Sequence, residues 1–85
     1  MTEEQARAWV GKPVYSSDGR NLGEIVAMQR DSSGKITELH ADVGGFLGIG
    51  ETRVKVMPTQ FTIGSDRVVL SVNSDQAKTL PKITK

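Results

Sequence analysis

Cysteine is absent from this chain. That excludes a disulfide framework, a thiolate metal site and a cysteine nucleophile, and it permits a reducing compartment. Histidine occurs once, as His40, so neither a second histidine nor a cysteine is present to complete a zinc set. Charge of one sign is not concentrated anywhere: eleven Lys and Arg face ten Asp and Glu, and the formal charge of +1 is spread along the chain. A dedicated nucleic-acid binder, whose affinity rests on neutralising phosphates, is not expected from such a balance. No apolar run is long enough to span a bilayer. The start, Met1-Thr2-Glu3-Glu4-Gln5, has neither the basic region nor the hydrophobic region of a secretory signal, so cytoplasmic residence is expected. Internal repeats and low-complexity segments are missing as well.

What is present fits one domain over 1–85, with a core only just large enough to offset the conformational entropy of so short a chain. Its organising stretch runs from Val43 to Val56 and holds Gly44, Gly45, Gly48 and Gly50 around Phe46, Leu47 and Ile49. Glycine is favoured where the backbone needs positive φ or passes close to another backbone, so this stretch reads as a wide β-hairpin loop. Ahead of it Leu39, Ala41 and Val43 alternate with Glu38, His40 and Asp42. After it Val54 and Val56 alternate with Arg53 and Lys55, the period of half-buried strands. Pairing these strands sets an acidic outer stripe beside a basic one, at roughly 0.2 to 1 kcal/mol per facing pair. Two readings are open for Phe46, Leu47 and Ile49: a plug folded onto the core, or a protein-binding edge, because contiguous exposed apolar patches mark interaction sites.

In chain order, Thr2 and Gln5 have the form of a capping box, and Ala6, Ala8 and Trp9 carry a short helix or turn ending near Gly11. Gly11-Lys12-Pro13 stops it. Val14-Tyr15 begins a first strand before the turn Ser16-Ser17-Asp18-Gly19. Leu22 to Arg30 is the next extended run, joined through Asp31-Ser32-Ser33-Gly34 to Lys35 through Val43. Pro58 marks a strand end or an edge, Gln60 to Ile63 resumes briefly, and Gly64-Ser65-Asp66 turns into the strand Arg67 to Val72. Asn73 and Gln76 form a second capping box before a short helix over Asp75 to Thr79 that ends at Leu80-Pro81. The core is placed at about 8–80, with residues 82–85 frayed. The fold expected is mainly β, a small closed or partly open antiparallel β-barrel of about six short strands with short helical turns near both termini.

Motifs with chemistry are weak. Gly45 to Gly50 followed by Glu51-Thr52 has the spacing of a phosphate-cradling loop, but a carboxylate stands where the phosphate-binding lysine is required, and a period-two strand follows instead of a helix. Glu38, His40 and Asp42 share one strand face, yet consecutive same-face residues rarely converge on one ion, and nothing there supplies a partnered general base. Trp9 and Tyr15 flank Pro13 and read either as an aromatic contact surface or as a barrel-end cover. No catalytic residue, metal ligand or cofactor-binding residue is assigned, no cofactor is expected, and the chain is not expected to be an enzyme.

The ordered set Gly11-Lys12-Pro13-Val14-Tyr15 leading to Asp18-Gly19, then Leu22-Gly23-Glu24-Ile25, then Val43 through Glu51, then Val54 to Pro58 with Gln60-Phe61, resembles the PRC-barrel domain family, most of all its stand-alone bacterial members. The resemblance covers Ala8 to Leu80. It implies a small β-barrel like the cytoplasmic domain of the photosynthetic reaction-centre H subunit, which caps a membrane complex, and the carboxyl-terminal domain of the ribosome maturation factor RimM, which contributes to binding a ribosomal protein. Docking and assembly are what the family implies, with no shared catalytic motif. The function expected is therefore a non-enzymatic protein-protein interaction or assembly module that self-associates, with contacts through Phe46, Leu47 and Ile49 and an exposed strand edge. The partner is another protein or a second copy, and docking to a membrane complex is open. The alternative is a ribosome or RNA-processing accessory, which needs Lys12, Arg53, Lys55 and Arg67 on one face. A small-molecule carrier is disfavoured because small barrels are filled by their own side chains.

Overall fold

A computed structural model describes residues 2–44, 52–77 and 79–83. The first helix, α1 (Glu3–Trp9), starts where the sequence places it. Thr2 Oγ1 accepts the Gln5 N–H at 3.1 Å and Gln5 Oε1 accepts the Thr2 N–H at 2.8 Å, so two of the orphan amide groups of the first turn are satisfied reciprocally. Glu3 and Glu4 sit at its positive end and Arg7 in its last turn, both favourable for the helix dipole. Ala6 is buried in the core and Trp9 packs against it, so the helix closes one side of the sheet.

Six strands follow: β1 (Pro13–Tyr15), β2 (Asn21–Arg30), β3 (Ile36–Val43), β4 (Thr52–Val56), β5 (Phe61–Ile63) and β6 (Val68–Leu70). They form one sheet in the order β4-β3-β2-β1-β6-β5, curled into a half-barrel. Strands β1 to β4 form an antiparallel meander. The sheet is nevertheless mixed, which departs from the all-antiparallel arrangement expected: β6 runs parallel to β1, with Val14 opposite Val68 and Tyr15 opposite Val69. The physical reason lies in the crossover. After β4 the 3-10 turn Pro58–Gln60 packs against β3 and carries the chain to the other end of the sheet, where the β5–β6 hairpin docks through β6. Turn signals announce antiparallel neighbours close in sequence, whereas a parallel pair needs a long connection that leaves no local mark.

Strand β2 also breaks the two-residue period. Its buried residues, Leu22, Ile25 and Met28, are three apart. Register shifts against β1 near Leu22 and against β3 at Val26 each insert one residue, and every inserted residue turns the following side chains to the other face. Gly23 lies between these irregularities, where a Cβ would stand 1.9 Å from the backbone oxygen of Asp42. No side chain larger than hydrogen fits that approach of β2 to β3.

The core is aliphatic. Val14, Ile25, Leu39, Ala41, Val43, Val54, Val56, Val68 and Leu70 are almost wholly buried and fill the concave side of the sheet. The short helix α2 (Ser74–Ala77) adds Ala77, and Leu80 follows it inward. Its start is capped by Asn73, whose Oδ1 accepts the Gln76 N–H at 2.7 Å while Gln76 Oε1 accepts the Asn73 N–H at 3.0 Å. The last described residues differ from the frayed tail expected from 82 onward. Lys55 donates its N–H to Pro81 and Ile83 donates to Arg53, so residues 81–83 lie antiparallel along β4. No helix among the described residues is long and apolar enough to cross a membrane.

Candidate functional site

A half-barrel has two sheet edges, and they are treated differently here. The edge of β4 is covered by residues 81–83 through the two backbone bonds just described, each near 2.9 Å. The edge of β5 has no such cover among the described residues. Its polarity follows from hydrogen-bond alternation. Ser71 donates to the Gln60 carbonyl and Gly64 to the Arg67 carbonyl, both at 2.8 Å. Bonded and non-bonded pairs alternate along an antiparallel ladder. With Phe61 opposite Leu70, Thr62 opposite Val69 and Ile63 opposite Val68, it is therefore Thr62 that bonds to β6. The N–H and C=O groups of Phe61 and Ile63 point away from the sheet.

Side chains sharpen the contrast between the edges. Strand β5 itself carries no charge, with Ile63 37% exposed and Val69 on the neighbouring β6 36% exposed, while the charged pair Asp66 and Arg67 sits in the turn beyond Gly64. Phe61 is half-buried against the core. The covered edge, by comparison, carries Arg53 and Lys55. Unpaired strand edges template pairing with another chain, and proteins blunt them with charge, brevity or a cover. Among the described residues, β4 has charge and a cover, while β5 has only brevity. Pro58, expected from the sequence to mark a strand end or an edge, opens the 3-10 turn that leads into β5.

The residues singled out as interaction residues, Phe46, Leu47 and Ile49, lie outside the described residues. What is described is the frame of their connection: Val43 and Thr52 are directly opposed in the β3–β4 pair, which makes it a hairpin. The strand that follows it, β4, is extended and not helical, so no helix amino terminus succeeds the glycines.

On the outer face of β3 and β4 the opposite charges meet as the alternation requires. Arg53 Nε lies 2.9 Å from Asp42 Oδ1 and a second guanidinium nitrogen 3.3 Å from Oδ2, across a directly opposed pair. Glu38 Oε2 lies 3.5 Å from His40 Nε2 and 3.9 Å from Lys55 Nζ, so one carboxylate holds both neighbours. Of the four cations needed for a phosphate-binding face, Arg53 and Lys55 are not brought together with Arg67 in the sheet. Arg53 and Lys55 occupy one end strand and face carboxylates, whereas Arg67 precedes β6 on the far side of β1, with its guanidinium 5.0 Å from the centre of the Tyr15 ring and its Nε 3.2 Å from Asp66. Tyr15 is thereby covered by Arg67, and Trp9 packs on the core from α1, so the two aromatics have separate structural roles.

Asp18 and Asp31 have pKa values below the ordinary 3.8, and both serve turns. Asp18 is lowered first by the Ser16 hydroxyl and also by Ser74, whose Oγ donates to it at 3.1 Å. Asp31 is lowered first by the Ser33 hydroxyl at 2.6 Å and then by the Lys35 amide at 3.0 Å. A carboxylate held ionised by its own turn is poorly matched to general acid work near neutral pH. An open groove of about 320 Å³ lies between α1 and β2, outside the filled interior, with Arg7 at its rim held by Glu3 at 3.1 Å.

The domain model of the PRC barrel matches residues 1–77 of this 85-residue chain, and the chain belongs to the PRC-barrel domain family. Comparison with curated proteins found no match. The cover on β4, residues 81–83, falls beyond the matched span.

Proposed function

We propose that this chain is a non-enzymatic docking and assembly domain that binds protein, a second copy of itself included, by strand addition at the β5 edge. The observation that carries the reading is the asymmetry of the sheet: the charged edge is covered by the chain itself, and the uncharged edge leaves the backbone groups of Phe61 and Ile63 unbonded among the described residues. Strand addition takes its affinity from such main-chain groups and its selectivity from alternate side chains. Membership of the PRC-barrel family supports the fold on which this rests. Cytoplasmic residence belongs to the same reading, and so does a contact through Phe46, Leu47 and Ile49. A Leu47→Asp chain that stays folded but loses association supports that contact, and one that unfolds assigns Leu47 to the core.

The test of the edge is residue-resolved hydrogen exchange across a range of protein concentrations. Association through β5 protects the Phe61 and Ile63 amides and leaves the Thr62 amide, already bonded to β6, nearly unchanged. Association that leaves the Phe61 and Ile63 amides exchanging as freely as in dilute solution is incompatible with the edge reading. Ile63→Lys, an exposed substitution that puts charge on the bare edge, is expected to abolish the association while leaving the thermal midpoint within a few degrees of the parent.

A further inference from the structure

We infer that the occupant of the β5 edge is the β5 of a second copy, running antiparallel about a two-fold axis through Thr62. This rests on the docking reading and adds the partner and the register. Phe61 and Ile63 are the two β5 residues with outward N–H and C=O groups, and they flank Thr62 symmetrically. Reversing the same segment about Thr62 sets Phe61 opposite the second copy's Ile63 and Ile63 opposite its Phe61. Both are then hydrogen-bonded pairs, and every outward group of the two strands finds a partner. A shift by one residue would present Thr62, whose groups are spent on β6, to the partner.

Side chains agree with that register. Phe61 and Ile63 lie on the face that carries Leu70 and Val68, so pairing brings a half-buried aromatic against a partly exposed isoleucine on both sides of the axis. Thr62 falls opposite Thr62 in a non-hydrogen-bonded pair on the outer face, where threonine pairs are favourable. Charge selects this edge over the other. Two β4 strands paired the same way would set Arg53 and Lys55 against their like, and that is the edge the chain covers with residues 81–83. Strand β5 places no charge opposite another charge. Pro58 and the turn after Gly64 confine the pairing to three residues, so the dimer is weak and concentration-dependent.

The chain has no cysteine, so a Thr62→Cys variant carries a single thiol. Non-hydrogen-bonded antiparallel pairs place opposed Cα atoms about 4.5 Å apart, within disulfide range. On mild oxidation Thr62→Cys should form a disulfide-linked dimer at least about tenfold faster than Ser65→Cys, which is exposed in the neighbouring turn but distant from its own copy in this register. Sedimentation gives an independent arm: Thr62→Lys and Thr62→Glu should each be monomeric where the parent associates, and an equimolar mixture of the two should associate again. Equal crosslinking of the two thiol variants, or undiminished association of Thr62→Lys, overturns the Thr62-centred pair. If the Phe61 and Ile63 amides are still protected on association in that case, the β5 docking reading stands and only the partner register has failed.

Discussion

Asp18 joins two distant parts of the chain through one carboxylate. Its Oδ1 accepts from the buried Ser16 hydroxyl in the β1–β2 turn, and its Oδ2 accepts from Ser74 at the start of α2. These bonds favour the ionised form, so the folded-state pKa lies below the unfolded one. The stability Asp18 contributes is therefore fully present above the ordinary value of 3.8 and is lost as pH falls from there through the folded value. Asp31, lowered by Ser33 and Lys35, acts in the same direction. Urea unfolding followed from pH 5 downward should show declining stability, with a shallower decline in Asp18→Asn. An unchanged slope in that variant would mean the Ser16 and Ser74 bonds do not favour the charged form. Gly23 carries a steeper prediction. A methyl group there meets the Asp42 carbonyl carbon at 2.9 Å and its oxygen still closer, both backbone atoms that cannot rotate away. Gly23→Ala should cost about 3 kcal/mol, the upper end of overpacking, in a denaturant titration.

At the scale of elements, the helices depend on their caps and the β4 edge depends on its cover. Removing the Asn73 side chain by Asn73→Ala deprives α2 of the bond to Gln76 and should cost about 1 kcal/mol. With only four residues, α2 has little else to hold its start. The cover of β4 is anchored by Leu80, which is nearly buried, and by the Lys55 to Pro81 bond at 2.9 Å. Leu80→Ala should destabilise the domain by about 2 to 3 kcal/mol. It should also speed exchange of the Lys55 amide more than that of the Leu39 amide in the interior strand β3, because the cover opens before the fold does. Equal acceleration at both sites would make residues 81–83 an integral part of the cooperative unit.

For the whole molecule, the balance between backbone and charge decides what kind of partner fits. On the outer face of β3 and β4 the ion pairs are internal, Asp42 with Arg53 at 2.9 Å and Glu38 with Lys55 at 3.9 Å, so that face is largely satisfied by itself. The proposed association through β5 would rely on main-chain bonds and apolar side chains, and is expected to change little between low and high salt. Binding to RNA would instead fall steeply with salt, because it rests on displaced counterions. A fluorescence titration against RNA and a sedimentation series of the protein alone, each repeated at two salt concentrations, separate these behaviours.

Local patterns in the sequence determined most elements of this fold. The Thr2–Gln5 and Asn73–Gln76 boxes fixed where helices start, since each is a contact between residues three apart. The alternation of Leu39, Ala41 and Val43 with Glu38, His40 and Asp42 fixed which face of β3 is inside, and the matching alternation in β4 fixed its register and ion pairs. Family resemblance, carried by the ordered segments from Gly11-Lys12-Pro13-Val14-Tyr15 to Gln60-Phe61, pointed to a small closed or partly open β-barrel. Tertiary structure alone decided the rest. The three-residue spacing of Leu22, Ile25 and Met28 comes from bulges that exist only when β2 has partners. The parallel β1–β6 pair joins residues far apart in the chain, and the docking of residues 81–83 on β4 turns an apparent tail into a cover for that edge. That β5 lies at the margin of the sheet is likewise a property of strand order. Whether a three-residue strand lies inside a sheet or at its margin depends on which neighbours remain for it, and that is settled by packing the whole chain around one small aliphatic core.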